Sequence, residues 1–571
     1  MHGHHFHTES VLLRELAAEF AGANPALAPL LNGPMIDPDV ERLLDAVAFQ
    51  NTLLGRKLDV DFPDLVLNLA HLILPHYLRP VPATTILGFT PARTMERPVR
   101  IPAGATVASI PVDGTCCRFT TVRDLDLHPL EVTDAAILQT TERAAEIRLS
   151  FILHGCRLSQ WLPDTIRLFL AGDRATATGL YQLLSRRLKR ITVTAPGAKT
   201  MLLPPECLRQ AGYGESDALV PWPSHAFPGY RLFQEYFTTP EKFLFFELSG
   251  LEGWSGRGDA GHFIVSFLLD GLTSEAPKVG LANFVTNAVP AVNLFSHDAD
   301  PIILDHRASR YLVRPCGANP RHHRIFSVDG VTGITHGDGG ERSYAPFELF
   351  GSGTPGTPVY HAGVERSLAG DGYDIYLSTA FPDGTAFPVG ETLSVALTCA
   401  NGALPESLRI GDIRGPLSGI PADVSCGNIT PVHPGVPPPL GPELLWRLTT
   451  HLYLNHVTLG SAEHLRTLLQ LYLSHDTSSG SPLTANLKRI DGIEDVAVTP
   501  DEAMVEGVLV RGSHIRLKVR LDHFAGAGDL FLFGCVLHRF LEQYASINCF
   551  TRLTVDEQTR GECYQWLMRL K

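Results

Sequence analysis

The chain has 571 residues and a formal charge of -13, so at roughly 100–200 residues per domain it holds three or four units. That charge excludes a nucleic-acid scaffold, which needs clustered cations to release counterions, and no run approaches the roughly 18 consecutive apolar residues that span a bilayer. Fifty-one glycines and 42 prolines call for many turns, hence a strand-rich body with helices at particular places.

The opening MHGHHFHTES has neither the charged start nor the apolar centre of a signal peptide, which makes a cytoplasmic protein the expectation. Leu13, Leu16, Ala17 and Phe20 then give a short amphipathic helix that Gly22 and Asn24-Pro25 end. From Asp37 to Pro82 the chain reads as a helical hairpin. Asp37 caps, Pro38 fits the first helical position, and Val40, Leu43, Leu44, Val47, Leu54 and Leu58 recur as one apolar face. A second helix opens near Asp61 and Pro63, carries Leu65, Leu69 and Leu72, and stops at Pro75.

After Pro82 short β runs follow one another: TTILGF, ATVASIPV, CRFTTV, EIRLSFIL, TIRLFLA and RITVTA, parted by Gly, Pro and Asp turns. Their spacing predicts a sandwich-like module. GYRLFQEYFTTPEKFLFFELSGL, from Gly229, reads as aromatic-rich strand and turn, and 331–357 turns to Gly, Asp, Ser and Thr, which predicts a mobile loop. PVHPGVPPPLGP, Pro431 to Pro442, predicts a stiff connector and a domain boundary. Beyond it come a helix over Leu444 to Leu473 interrupted near Gly460 and strands Glu506–Val510 and His514–Leu521 turning at Arg511-Gly512-Ser513. A helix capped by Asp529 follows, with Leu530, Phe533, Leu537, Phe540, Leu541 and Tyr544 on one stripe. The prediction is an α+β multidomain chain: an N-terminal helical segment over 1–82, β-rich sandwich-like domains over 83–228 and 229–430, and a C-terminal α+β domain over 431–571.

Residue types that carry chemistry are present in patterns that do not assemble it. His2, His4, His5 and His7 would need a second shell to hold a metal. His71 with His76 and His451 with His456 are five apart, off the i, i+4 spacing of a zinc pair. Asp59, Asp61 and Asp64 open like a calcium loop, but Pro63 stands where a ligand belongs. Gly351-Ser352-Gly353-Thr354-Pro355-Gly356 matches a dinucleotide fingerprint, yet Pro355 and Pro358 forbid its helix. Ser296, His297 and Asp298 are consecutive, so they point apart where a triad converges. Glu235, Glu241 and Glu247 have the types of a glycosidase pair, whose separation a sequence does not reveal. Arg186, Arg187, Lys189 and Arg190 read as a solvated strand edge, with an acidic partner surface as the other reading, and Arg321, His322, His323 and Arg324 form a weaker cluster. Ten cysteines without a C-x-x-C pair, Cys116 and Cys117 adjacent, predict reduced and mostly buried thiols. No catalytic residue, cofactor or metal ligand is predicted.

DPDVERLL followed by AF, KLD, FP and PHYLRPVP resembles the opening of the TssF family of type VI secretion baseplate subunits, also called VasA or ImpG. CRFTT, GYRLFQEYFTTPEKFLFFELSGL, NLFSHDADPIILDH, LPESLRIGD, WRLTTHLYLNHVTL, RGSHIRLKV and FAGAGDLFLFGCVLHRFLEQYASINCFT are similar to later family blocks in the same order, over essentially the whole chain. The resemblance implies a noncatalytic wedge protein. It also implies partners: two TssF chains with one TssG, together with TssE and TssK, around a VgrG spike hub and linked to the contractile sheath. The baseplate would be cytoplasmic and docked at the inner membrane complex, with no nucleic acid and no direct membrane insertion. Family helices at both chain ends join bundles with TssG, which assigns the apolar stripes Val40, Leu43, Leu44, Val47, Leu54 and Leu58, and Leu537, Phe540, Leu541 and Tyr544, to partner contacts. The alternatives from other classes are a β-rich polysaccharide-acting enzyme or secreted effector, and an adaptor binding module.

Overall fold

The computed structural model describes residues 16, 20, 39, 42, 43, 45–47, 50, 70, 71 and 74 of the N-terminal stretch. From 75 to 571 it describes all except 142–143, 224–225, 272–276, 318, 320, 337–339, 348–356, 368–371, 382–389, 441–445, 448, 451–459, 474–479, 506, 546–547 and 571. The chain divides into two compact units, Met1–Leu74 and Pro75–Lys571.

In the first unit Leu16, Phe20, Asp39, Arg42, Leu43, Asp45, Ala46, Val47, Gln50, Ala70 and His71 are all helical, as the apolar period predicts. Arg42 Nη1 sits 3.2 Å from Asp39 Oδ1 on the next turn.

The second unit begins with a curled sheet. Thr84–Thr90 pairs antiparallel with Ala288–Val292 on one side and Ser425–Asn428 on the other, while the hairpin Thr106–Val112/Thr115–Thr121 and the strand Ile413–Ser418 complete six strands. Its two outer strands meet through Asn428, whose Oδ1 accepts from the N–H groups of Gly411 and Ile413 at 2.9 and 3.1 Å. Leu87, Phe89, Val107, Phe119 and Val289 fill the interior. Alternation along each strand puts these side chains on one face, and burying them stabilises the curl at about 1.5–3 kcal/mol each.

Two further sheets enclose a helix. One has five strands in the order Met201–Leu203, Leu188–Thr194, His262–Leu269, Ala144–Leu153 and Leu130–Thr141. The other has four, Leu208–Ala211, Phe245–Ser249, Thr165–Leu170 and Phe284–Thr286. Helix α1 (Arg174–Arg186) packs on strands of both. Asp173 caps it by accepting from Thr176 N at 2.7 Å, and Ala177, Leu180, Tyr181, Leu183 and Leu184 form its buried face. This helix was missed in the sequence, although its cap and its period are both local signals. Helix α2 (Gly229–Thr238) is the larger correction: the first part of the aromatic stretch expected as strand and turn is helical, while its later part, Phe245–Ser249, is strand as expected. Tyr230, Phe233 and Tyr236 recur at three-residue spacing and are buried together, so packing of one helical face overrides the strand preference of aromatics.

An eight-stranded sheet over residues 295–400 has its own core of Leu304, Leu377, Leu393 and Leu397. Here Val331–Thr335 and 341–346, expected as mobile loop, are strand: Arg324–Thr335 pairs with Glu341–Pro346 and with Glu391–Ala400. Of the remainder of that stretch, 337–339 and 348–356 lie outside the described residues.

The C-terminal part carries helices α3 (Ala462–Leu471), α4 (Gly480–Asp491) and α5 (Ala527–Tyr544), a long hairpin Ile493–Val505/Val508–Val519, and the strand Phe550–Glu557, which runs parallel to the hairpin's second strand. The hairpin turns after Val505, with Gly507 at φ +84°, and Arg511-Gly512-Ser513 lies inside a strand instead of forming the turn. Gly507 has the left-handed freedom that the turn needs, whereas Gly512 serves close packing.

The division at 228/229 does not follow the sheets, because His262–Leu269 and Ala288–Val292 complete sheets begun before residue 200. The Pro-rich segment, expected as a stiff connector at a domain boundary, is itself tied down over its described residues. His433 and Val436 exchange backbone hydrogen bonds with Thr84 and Val81 at 2.7–3.1 Å, which ties this extended segment to the curled sheet. Prolines dictate extended backbone there, and the residues between them retain the N–H groups needed to pair. The ten cysteines are free, but only Cys117, Cys156, Cys399 and Cys535 are buried, fewer than expected.

Candidate functional site

The three glutamates with the types of a glycosidase pair are the natural place to begin. Glu235, on α2, is buried and accepts from Arg231 Nη1 one turn earlier at 3.0 Å, from the Lys242 ammonium, and from Leu219 N at 2.8 Å. Burial pushes the Lys242 ammonium down to about 8, against the pull of Glu235. Glu241 sits on the next turn, and its Oε2 lies 2.8 Å from His433 Nε2. Burial opposes charge on both, yet each holds the other ionised: the carboxyl lies below its ordinary value and the imidazole above. Glu247, in the strand Phe245–Ser249, meets Arg123 Nη1 at 3.1 Å. Arg123 and Arg167 in turn reach Asp217 at 2.8 and 3.2 Å. Burial raises the Asp217 carboxyl less than these two guanidinium groups lower it.

The three carboxylates thus belong to three separate ionic junctions. A glycosidase needs two carboxyl groups facing one bond across about 5–9.5 Å, one of them protonated, whereas each of these is engaged by its own cation. What the arrangement does chemically is tie α2 to the segments just before and after it, and the turn after α2 and the following strand to His433 and Arg123, distant in the chain.

Asp529 makes a fourth junction. Fully buried in the first turn of α5, its Oδ1 accepts from Arg174 Nε and its Oδ2 from Arg489 Nε, both at 2.8 Å. Arg174 also donates to Tyr236 Oη at 3.1 Å, so α1, α2, α4 and α5 converge on one carboxylate. Expected as the cap of α5, Asp529 is inside the helix, and Gly526 holds the cap position. Its Oδ2 accepts from Ala525 N at 3.1 Å, so part of the capping role remains.

Ser296, His297 and Asp298 lie along one strand, Phe295–Asp298, and His297 Nε2 contacts the Cys316 carbonyl at 2.9 Å. They do not converge. His76 is buried among Trp222, Tyr230 and Tyr472, with its Nε2 3.1 Å from Tyr472 Oη, and His71 is a helical residue of the first unit. His322 Nδ1 meets Thr115 Oγ1 at 2.9 Å, and His323 packs on Phe295 and His297, so this cluster is a junction between sheets. Arg186, Arg187, Lys189 and Arg190 are exposed where α1 ends and the next strand starts. Arg186 stacks on Tyr564 at 4.7 Å and Lys189 pairs with Asp270 at 3.1 Å. Cations suit that helix end, where unpaired carbonyls carry negative charge. The N-terminal histidines, the aspartates at 59, 61 and 64, His451, His456 and the glycine motif at 351–356 lie outside the described residues.

Among the described residues no three His, Cys, Asp or Glu side chains gather to hold a metal ion, and no helix is long and apolar enough to cross a membrane. A groove of about 1350 Å³ runs past Arg118, Val220, Trp222, Leu294, Phe295 and Leu417, and neither histidine nor cysteine lines it.

The residues expected at partner contacts fall into two groups. Leu43 and Val47 are helical and 65% and 40% exposed, while Val40, Leu44, Leu54 and Leu58 lie outside the described residues. Leu537, Phe540 and Leu541 are buried, Phe540 with its ring 4.2 Å from that of Phe233, and Tyr544 is half-buried against Phe540 and Phe227. The stripe on α5 therefore packs into the core of this chain, against α1 and α2.

Fold and junctions together define a strand-rich chain of several sheets whose buried charges join its own elements. The family model for "Type VI secretion system, TssF" matches residues 2–571. A Pseudomonas aeruginosa protein described as type VI secretion system component TssF1 is 30% identical over 619 residues, covering 98% of this chain and 97% of that one. A chain from the cryo-electron microscopy structure of the type VI secretion TssK–TssF–TssG baseplate subcomplex is similar with a TM-score of 0.80 at 31% identity, covering 92% of this chain and 98% of that one. Another, from the type VI secretion baseplate complex, gives a TM-score of 0.60 at 25% identity, with 99% of each chain covered. This chain belongs to the TssF family, components of the type VI secretion baseplate.

Proposed function

We propose that this chain is a noncatalytic structural subunit of the baseplate wedge, assembling with TssG and TssK as the related chain of the TssK–TssF–TssG subcomplex does. Two copies join one TssG, TssE completes the wedge, and wedges surround a VgrG hub and pass their rearrangement to the contractile sheath. The assembly is cytoplasmic and docks at the inner membrane complex. The observation that carries this reading is the family match along the whole chain, supported by four ionic junctions that pair carboxylates with cations of the same chain.

Leu43 and Val47, exposed on a helical segment, are the residues proposed to meet TssG, since α5 has no comparable free face. Co-expression with TssG and TssK tests the reading: a stable complex is expected, and recovery of free chains alone under gentle conditions overturns it. Leu43→Asp with Val47→Asp should abolish the complex, because burying an unpaired carboxylate is costly. A complex of unchanged stability would move the interface off this helix.

A further inference from the structure

The eight-stranded sheet joins the rest of its unit through two passages of chain that lie side by side. The chain enters after Leu294 and leaves before Asn401, Phe295 pairs with Cys399, and Asn293 and Asn401 exchange hydrogen bonds at 2.6 and 2.8 Å. The apolar cluster at this joint buries Val292, Leu294 and Phe326, far fewer residues than the core of the sheet itself. Beside it runs the groove of about 1350 Å³, lined by Arg118 and Thr120 of the curled sheet and by Ser296 and Thr398 of the eight-stranded one. Two adjacent passages and a small apolar contact make a hinge, since it takes a large hydrophobic interface to hold neighbouring bodies rigid.

His323 sits against this hinge. Its ring is 5.4 Å from that of Phe295 and 5.3 Å from that of His297, and the Arg118 guanidinium of the curled sheet lies over the same Phe295 ring at 5.3 Å. His323 Nδ1 is buried and meets no hydrogen-bond partner among the described residues. The Asn319 carbonyl, which favours the charged ring, already accepts from the backbone N–H groups of His322 and His323 at 2.9 and 3.0 Å. His322 Nδ1 bridges the joint to Thr115 Oγ1 at 2.9 Å. Burial holds the His323 imidazole below its ordinary 6.5, and His297, Arg118 and His322 push it the same way. A proton on His323 therefore puts a charge and an unmatched donor at the joint, beside an arginine that stays charged.

We propose that this joint is an acid-opened hinge: protonation of His323 swings the sheet over residues 295–400 away from the curled sheet, about the Asn293–Asn401 pair. Opening admits water to Nδ1 and carries the ring away from Arg118, so the open form binds the proton better. The sign follows by linkage. The closed form is favoured while His323 is neutral, above about 6.5, and loses ground as pH falls through the depressed value.

Spin labels on a ketone-bearing residue introduced at Ser343 and at Ser418, both exposed and one on each sheet, report the distance across the joint in the full chain and leave its cysteines untouched. Double electron–electron resonance should show a second distance whose population grows at least about threefold between about pH 8 and about pH 5, the range over which an ordinary imidazole titrates. His323→Gln keeps a polar side chain that does not titrate, so its distribution should be the same at both. Arg118→Gln removes the facing cation from an exposed position and should shrink the change at least about twofold. A distribution of the unaltered chain that ignores pH overturns the proposal, as does a response that persists in His323→Gln. Should His323→Gln fail to fold, a full response in Arg118→Gln overturns it. Near-ultraviolet circular dichroism should stay unchanged over the same range, and its loss would assign the response to unfolding and overturn the hinge.

Discussion

Asn293 and Asn401 hold each other across the joint between the curled sheet and the eight-stranded sheet. Asn401 N donates to Asn293 Oδ1 at 2.6 Å, and Asn293 Nδ2 donates to Asn401 Oδ1 at 2.8 Å. The same two side chains satisfy both backbone groups of Arg118, at 2.7 and 2.9 Å, and neither Asn is measurably exposed beyond 1%. Four hydrogen bonds thereby run through two side chains. Asn401→Ala leaves Arg118 N without its acceptor and takes one of its two acceptors from Asn293 Nδ2, and should cost about 1–3 kcal/mol in chemical denaturation. A loss below the error of the measurement would mean that water replaces the side chain.

The Asp529 junction predicts a larger effect. Asp529→Asn keeps the shape but removes the charge facing Arg174 and Arg489, the second of which is itself buried. Breaking a buried ion pair from one side costs about 3–5 kcal/mol, because the stranded cations stay in a low-dielectric site. Urea unfolding monitored by tryptophan fluorescence would register it, and a change under 1 kcal/mol contradicts the assignment.

Glu241 and His433 predict a dependence on pH with a definite sign. The His433 imidazole is raised above its ordinary 6.5, so its contribution is complete below 6.5 and is lost as pH rises through the folded value. Glu241 is lowered from 4.5, so its contribution is present above 4.5 and is lost as pH falls through its folded value. The pair therefore stabilises most between about 4.5 and 6.5. His433→Gln should be further below the unaltered protein in stability at pH 6 than at pH 8.5, measured by denaturant titration at both. An equal gap at the two values would show that the ring acts by packing alone.

Gly528 stands where α5 crosses α1 with no room for a side chain. A Cβ there would lie 2.4 Å from the backbone of Thr178 and from Gly179 N, atoms that cannot turn aside as a side chain can. Gly528→Ala should force α1 and α5 apart and cost about 1–3 kcal/mol, despite the better helix propensity of alanine. A thermal melt that is unchanged or higher would show that the helices slide without loss.

Much of the fold was legible because its signals are local. The strands TTILGF, CRFTT and EIRLSFIL announce themselves by alternation between turn residues, and α5 by an apolar stripe behind an acidic first turn. Helix α2 was misread because its aromatics favour strands, although Tyr230, Phe233 and Tyr236 already had helical spacing. The candidate carboxylates were visible as residue types, but their partners were not: Glu241 meets His433 across 192 residues and Asp529 meets Arg174 across 355.

By itself the sequence determined the strand-rich character, the helical start and, through blocks in family order, membership of the TssF family. Each depends on residues within a turn or two of one another, or on order along the chain, and both survive without knowing the fold. Only the tertiary structure decided which carboxylate meets which cation, that the Pro-rich segment is stitched to Val81 and Thr84, and that the stripe of α5 is spent on α1 and α2. Those pairings require closing loops of very different length, whose entropic cost grows so slowly with length that sequence distance leaves little trace of which contact will form.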